Sequence, residues 1–181
     1  MFKYILGIDP SLRNFGVNVR DNVNNLVYTD VIRTRNGMND HDSVDFIVEQ
    51  FFERLEPYLI KINGRPATVV YVEHIIFAQK GKGTARAEAI GAVKWNLRQD
   101  GFPIYGVDPK SINSFLSDRF GVKFPRNSKD IKETTRRIVH RHCGHYTLDD
   151  NEADAIAASL YGYAHCIEKQ RLSPIALSRM I

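Results

Sequence analysis

Along the first third of the chain, short apolar runs alternate with turn residues. Residues 4–8, 16–19 and 26–32 are rich in Val, Ile, Leu and aromatic side chains, with Asp9-Pro10-Ser11, Asp21-Asn22 and Asn24-Asn25 between them. Runs of this length bounded by Pro, Asn and Asp predict three consecutive antiparallel strands. The period then changes. Val44, Ile47, Val48, Phe51, Phe52, Leu55, Tyr58, Leu59 and Ile62 recur at three- and four-residue spacing, predicting an amphipathic helix over 40–62. A continuous apolar run at 67–72, bounded by Gly64-Arg65-Pro66 and Glu73, predicts a buried strand parallel to one of the first three.

The second half repeats the alternation. Thr84 can cap a helix over 84–97, and Gly101-Phe102-Pro103 separates it from a short strand at 104–107. Residues 110–120 and 128–143 read as two helices, the second with Ser128 as cap and Gly144 as terminator. A last helix opens at Asp149 or Asp150 and carries the apolar stripe Ala153, Ile156, Ala157, Leu160 and Ala164. This order predicts an α/β fold, a mixed five-stranded sheet flanked by helices on both sides. At 181 residues the whole chain, 1–181, is expected to be one domain.

Charge changes the picture only because it is localised. The net charge is +4, yet Lys110, Arg119, Lys123, Arg126, Lys129, Lys132, Arg136, Arg137 and Arg141 crowd one segment against three acids. Lys80, Lys82, Arg86, Lys94 and Arg98 form a second basic stretch. One such run is usually a solvated helix face; two point to a polyanion surface. No stretch approaches the roughly 18 apolar residues of a membrane span. The start runs into Asp9 without a cleavage-site pattern, and Cys143 and Cys166 match no disulfide, redox or zinc spacing. A cytoplasmic protein with reduced thiols is expected.

Three acids, Asp9, Glu73 and Asp108, close apolar strands, and in such sheets the carboxyl ends of neighbouring strands converge on one crevice. An isolated carboxylate buried there is costly, so it must be solvated, paired or metal-bound. A fourth acidic group, Asp149-Asp150-Asn151-Glu152-Ala153-Asp154, opens the last helix, where Asp154 shares a face with Asn151 and Asp150. Hard oxygen donors favour magnesium or manganese over zinc, and two such ions can activate water and stabilise the leaving oxygen of a phosphoryl displacement. Capping and dipole compensation account for at least one of Asp149 and Asp150.

Gly7-Ile8-Asp9-Pro10-Ser11 with Gly16, then Val72-Glu73 with Phe77, and finally Glu152-Ala153-Asp154-Ala155-Ile156-Ala157, resemble the RuvC-type Holliday junction resolvases of the RNase H-like superfamily. The first motif is also similar to the phosphate loop of actin-like sugar kinases, which need two such domains. The resemblance implies an RNase H-like nuclease domain whose metal-binding acids fall on Asp9, Glu73 and Asp154. The family's fourth ligand falls on Asn151, a departure that Asp150 on the same face can compensate. The basic residues near the site match Lys110 and Lys129, with Lys132 as rival for the second. Phe77 matches an aromatic set against bases at the junction centre, and Lys80-Gly81-Lys82-Gly83 reads as a basic loop on the DNA backbone. Arg86, Arg126 and Arg136 are further expected DNA contacts.

The resemblance also implies Mg2+ as cofactor, with Mn2+ able to substitute, products with a 5′-phosphate and a 3′-hydroxyl, and a two-fold homodimer built through the helix over 84–97. That helix has apolar or small residues on more than one face. His140, His142, Cys143 and His145 fit no zinc spacing and read as a basic last helical turn. The expected activity is therefore metal-dependent cleavage of four-way junctions. The competing readings are a related nuclease for flaps or other branched DNA, and a junction-binding module without catalysis.

Overall fold

A computed structural model of the chain describes residues 2–74, 84–147 and 149–168. Three antiparallel strands open it, β1 (Tyr4–Asp9), β2 (Asn14–Asp21) and β3 (Leu26–Arg33). They are followed by helix α1 (Asp40–Leu55), the two-residue strands β4 (Lys61–Ile62) and β5 (Arg65–Pro66), strand β6 (Thr68–Glu73), helix α2 (Thr84–Gln99) and strand β7 (Ile104–Val107). Helices α3 (Pro109–Phe120), α4 (Ser128–Cys143) and α5 (Asp150–Tyr163) complete the chain, with a π-helical turn at Ala164–Glu168.

The main sheet has the order β3-β2-β1-β6-β7, with β6 parallel to both β1 and β7. Two cores cover its faces. Leu6, Ile8, Val17, Val70 and Val72 pack under α1 and α2 through Ile47, Phe51, Ile90 and Val93. Ile5, Val69, Tyr71 and Val107 meet Ile112, Leu116, Ile138, Ala157 and Leu160 on the opposite side. Since strand side chains alternate between faces, Gly7 and Asp9 share the face of Ile5, and Glu73 that of Val69 and Tyr71. That face is covered by α3, α4 and α5.

Two expectations are corrected. The helix over 40–62 stops at Leu55, because Pro57 lacks the N–H that the ladder needs; a 3-10 turn at Glu56–Tyr58 follows. Asn63 and Gly64, both at positive φ, then turn the chain between β4 and β5. The cap of α4 is Asn127, whose side chain accepts from the Lys129 N–H, and Ser128 is the first helical residue. No helix among the described residues is long and apolar enough to cross a membrane.

Candidate active site

The parallel register pairs Ile8 with Val72, so the next residues, Asp9 and Glu73, end adjacent strands on the same face. Helix α5 crosses above them at close range. A Cβ added to Gly7 would lie 2.5 Å from the Ser159 amide nitrogen and closer still to the Ala155 carbonyl oxygen. At Gly16 it would lie 2.7 Å from the Asn151 carbonyl carbon. Only glycine at both positions lets the helix backbone rest on the sheet, and that contact places Asp154, which precedes Ala155, above the strand ends.

The three carboxylates perturb one another. Asp9, 5% exposed, is held well above the ordinary carboxylate range by burial, then by the charges of Glu73 and Asp154. Glu73 is pushed up to about 7 by burial and by Asp154. Asp154 is pushed up to about 6 by burial, with Asp150 and Asp149 adding repulsion against the lowering effect of Lys132. Lys132 of α4 and Arg86 of α2 lower the pKa of both Asp9 and Glu73. Arg86 Nη2 stands 3.8 Å from Asp9 Oδ1, and its Nε donates to the Pro10 carbonyl.

Beside these acids, Glu73, Asp154, Lys132 and Lys110 line a cleft of about 250 Å3, together with Asn113 of α3. Among the described residues no three His, Cys, Asp or Glu side chains form a ready-made metal cluster. The donor chemistry still fits a hard divalent cation, because three carboxylates, one buried and two half-buried, carry up to three negative charges against two nearby cations.

The other expected site residues are distributed as follows. Asp150 lies 3.3 Å from Lys132 Nζ and 3.4 Å from Arg136 Nε, so its charge is engaged by α4. Asn151 donates from its side chain to Asp149 Oδ1 at 3.2 Å. Asp149 is the cap of α5 and pairs with Arg33 at 2.7 Å. Asp108 caps α3 by accepting from the Lys110 N–H at 2.7 Å, and its charge raises the Glu73 pKa. Lys129 and Arg126 are exposed at and before the start of α4. Arg136 also pairs with Glu133 at 2.6 Å. Phe77, Lys80 and Lys82 lie outside the described residues. The histidines have separate neighbours: His142 stacks on Phe120, His140 meets Tyr146 edge-on, and His145 lies 3.0 Å from Glu152.

Sequence reasoning missed the pairing of Arg86 with Asp9; the available signal was its place in the first turn of the helix that follows the Glu73 strand. It also missed a buried polar network behind the site. Arg20, 2% exposed, donates to Ser159 Oγ at 3.1 Å and to the Asn24 carbonyl at 3.1 Å, and Ser159 donates to Asn18. This network ties α5 to β2, and the strand pattern alone gave no sign of it.

A pH dependence follows from the raised carboxylates. Their ordinary values lie near 4, so between about pH 4 and 7 the native protein holds more protons than the unfolded chain. Metal-free stability is therefore expected to fall as pH rises through that window and then level off. Asp30 and Asp149, both lowered, act below it. Thermal melts in EDTA from pH 5 to 8 check this, and an unchanged or rising midpoint would contradict it.

No protein-family profile and no curated protein sequence matches the chain. Solved structures do. RuvC from T. thermophilus in complex with a Holliday junction substrate superposes with a TM-score of 0.69 at 20% identity, over 90% of this chain and 94% of that one. The yeast mitochondrial Holliday junction resolvase Ydc2 gives a TM-score of 0.53 at 14% identity, over 93% and 83%. The fowlpox virus Holliday junction resolvase gives 0.53 at 16%, over 92% and 99%. The chain has the RuvC-type RNase H-like fold.

Proposed function

We propose that this chain, carrying the fold of the RuvC-type resolvases, is a magnesium-dependent endonuclease that resolves four-way DNA junctions. Residues 1–181 act as one nuclease domain. The observation that carries this reading is the convergence of three mutually repelling carboxylates, the buried Asp9 and the half-buried Glu73 and Asp154, beside a cleft that also presents Lys110 and Lys132. Such a cluster favours divalent ions and a phosphodiester over a neutral substrate.

Asp9, Glu73 and Asp154 would hold Mg2+, with Mn2+ able to substitute, and Asn151 or Asp150 is the candidate fourth ligand. Held there, such ions would supply a lowered pKa for the attacking water and neutralisation of charge on the phosphate. The chain supplies the rest. Arg86 orients the Asp9 carboxylate, α5 holds Asp154 in register with the strand ends, and Lys132 places a positive charge where negative charge builds up during displacement. The water oxygen bonds to phosphorus and the bond to the 3′ oxygen breaks; that oxygen takes up a proton, leaving a 5′-phosphate and a 3′-hydroxyl.

Lys132 is the stronger candidate for the assisting lysine, because its charge acts on all three acids. Lys132→Ala is expected to slow single-turnover cleavage roughly 10²-fold, whereas Lys129→Ala weakens binding by about tenfold or less with the rate nearly unchanged. Equal effects of the two would remove that assignment, and a larger rate loss for Lys129→Ala would reverse it.

The basic segments, with Lys110, Arg126, Arg136 and the stretch holding Phe77, Lys80 and Lys82, are the proposed DNA contacts. A cytoplasmic homodimer formed through α2 would set its two sites at two opposed strands of the four-way junction. Trp95 of that helix is 64% exposed, and sedimentation of the intact protein is expected to show a dimer. The reading as a whole is tested by incubating synthetic four-way junction, flap and linear duplex with Mg2+ at equal concentration. Paired nicks in the junction support it, preferential flap cleavage favours the broader branched-DNA nuclease, and intact strands on a bound junction indicate a binding module.

A further inference from the structure

Tyr146 lies in the connection between α4 and α5 with 66% of its surface exposed. A single exposed aromatic is ordinary, but this one is held in place from both sides. Its neighbours His145 and Thr147 both bond the Glu152 carboxylate, and Thr147 Oγ1 also accepts the Asp149 N–H at 3.0 Å. The ring itself meets His140 of α4 edge-on, with centroids 5.2 Å apart. Tyr146 therefore presents a fixed ring to solvent at little further entropic cost on binding.

Its surroundings define what it can receive. Arg136, Arg137 and His140 line a hollow of about 180 Å3 with Tyr146, and Glu133 at its edge is paired with Arg136. That volume is below the ~300–1,000 Å3 of drug-sized ligand pockets, so it suits one planar group. Lys132, Arg136 and His140 follow at four-residue spacing along one side of α4. At 1.5 Å per residue, His140, at the far end of the hollow where Tyr146 sits, lies about 12 Å along the helix from the lysine beside the carboxylates. A DNA strand crossing the cleft and following this basic row reaches Tyr146 a few nucleotides from the reacting phosphate, at about 3.4 Å per stacked step.

We infer that Tyr146, flanked by Arg137 and His140, is a stacking platform for one unpaired nucleobase of the strand being cut. A duplex keeps its base faces covered by neighbouring bases, whereas a branch point supplies unstacked ones, and aromatic and guanidinium groups bind these with little sequence preference. This rests on the reading of the chain as a branched-DNA nuclease. It adds a contact that would favour branched over linear DNA and fix how far from the branch the strand is cut.

The test compares wild type, Tyr146→Ala and Tyr146→Phe in three assays: anisotropy binding of a labelled single-stranded oligonucleotide, binding of the matching duplex, and junction cleavage with Mg2+. Thermal melts confirm that the variants are folded. Tyr146→Ala is expected to weaken single-strand binding by roughly 5- to 100-fold, with Tyr146→Phe close to wild type and duplex binding unchanged. Loss of single-strand binding rescued by Phe supports the platform even where wild type cleaves no junction, a result that would remove only the catalytic reading. Normal junction cleavage by wild type with Tyr146→Ala indistinguishable from it in binding overturns the platform and leaves the nuclease standing. A Phe variant as weak as the Ala variant would replace stacking with a hydroxyl contact. Wild type that neither binds single strands nor cuts junctions overturns both.

Discussion

Asp9→Asn is expected to reduce junction cleavage by about 10³-fold or more, to leave junction binding within a few-fold of wild type, and to make the metal-free protein more stable at pH 8. The three outcomes share one cause. Asp9 is nearly buried at the end of a central strand, where Glu73 and Asp154 repel its charge. A neutral amide of the same shape removes a cation ligand together with that repulsion. Asn at this position spares the metal-free fold a buried charge that Arg86 and Lys132 only partly offset, a gain expected above pH 7 and absent near pH 4, where the carboxyl is protonated. Arg86 keeps its bond to the Pro10 carbonyl, so α2 stays anchored. Cleavage rates, junction affinity in Ca2+ and melts in EDTA at pH 5 and 8 check the set. A variant that cleaves normally, or is less stable than wild type at pH 8, would refute the role assigned to this charge.

Gly7→Ala is expected to destabilise the protein by about 3 kcal/mol or more, a large cost for a change of one methyl group. The added Cβ meets helix backbone, with Ser159 N at 2.5 Å, Ser159 Cβ at 2.8 Å and the Ala155 carbonyl oxygen nearer still. No rotamer change relieves a clash with main chain, so α5 must lift from β1 or the fold must give way. Lifting moves Asp154, so a folded Gly7→Ala protein is also expected to lose cleavage beyond what its stability explains. Denaturant unfolding and cleavage at low temperature, where the variant stays folded, separate the two effects. Stability within 1 kcal/mol of wild type would show that α5 does not rest on Gly7 as described.

Much of the site could be read before any coordinates. Asp9 and Glu73 each close a run of buried β-branched or aliphatic residues, and the alternation along those runs already sets each acid on the face of every second residue before it. Asp154 could be placed on the last helix by its spacing from the apolar stripe. The partners of these acids were not legible. Lys129 is the better match along the chain and Lys132 its rival, yet a helix turns by 100° per residue, and only the docking of α4 against α5 brings Lys132 to the carboxylates. Arg86 looked like a surface cation because nothing local shows that α2 passes the end of β1. Asp150 could be set on the helix face of Asp154, but not the pairing that α4 gives it with Lys132 and Arg136.

Local patterning by itself determined the elements, their order, the mixed sheet and the strand ends at which the acids lie, because side-chain period and turn chemistry act over a few neighbouring residues. Tertiary structure alone decided which charges face one another, how closely α5 approaches Gly7 and Gly16, and that Arg20 is buried among Ser159, Asn24 and Cys143. Those outcomes depend on the rotation and separation of elements far apart in the chain. Burial then sets the pKa values and ion pairs, since a charge is perturbed only by what surrounds it once water has been removed.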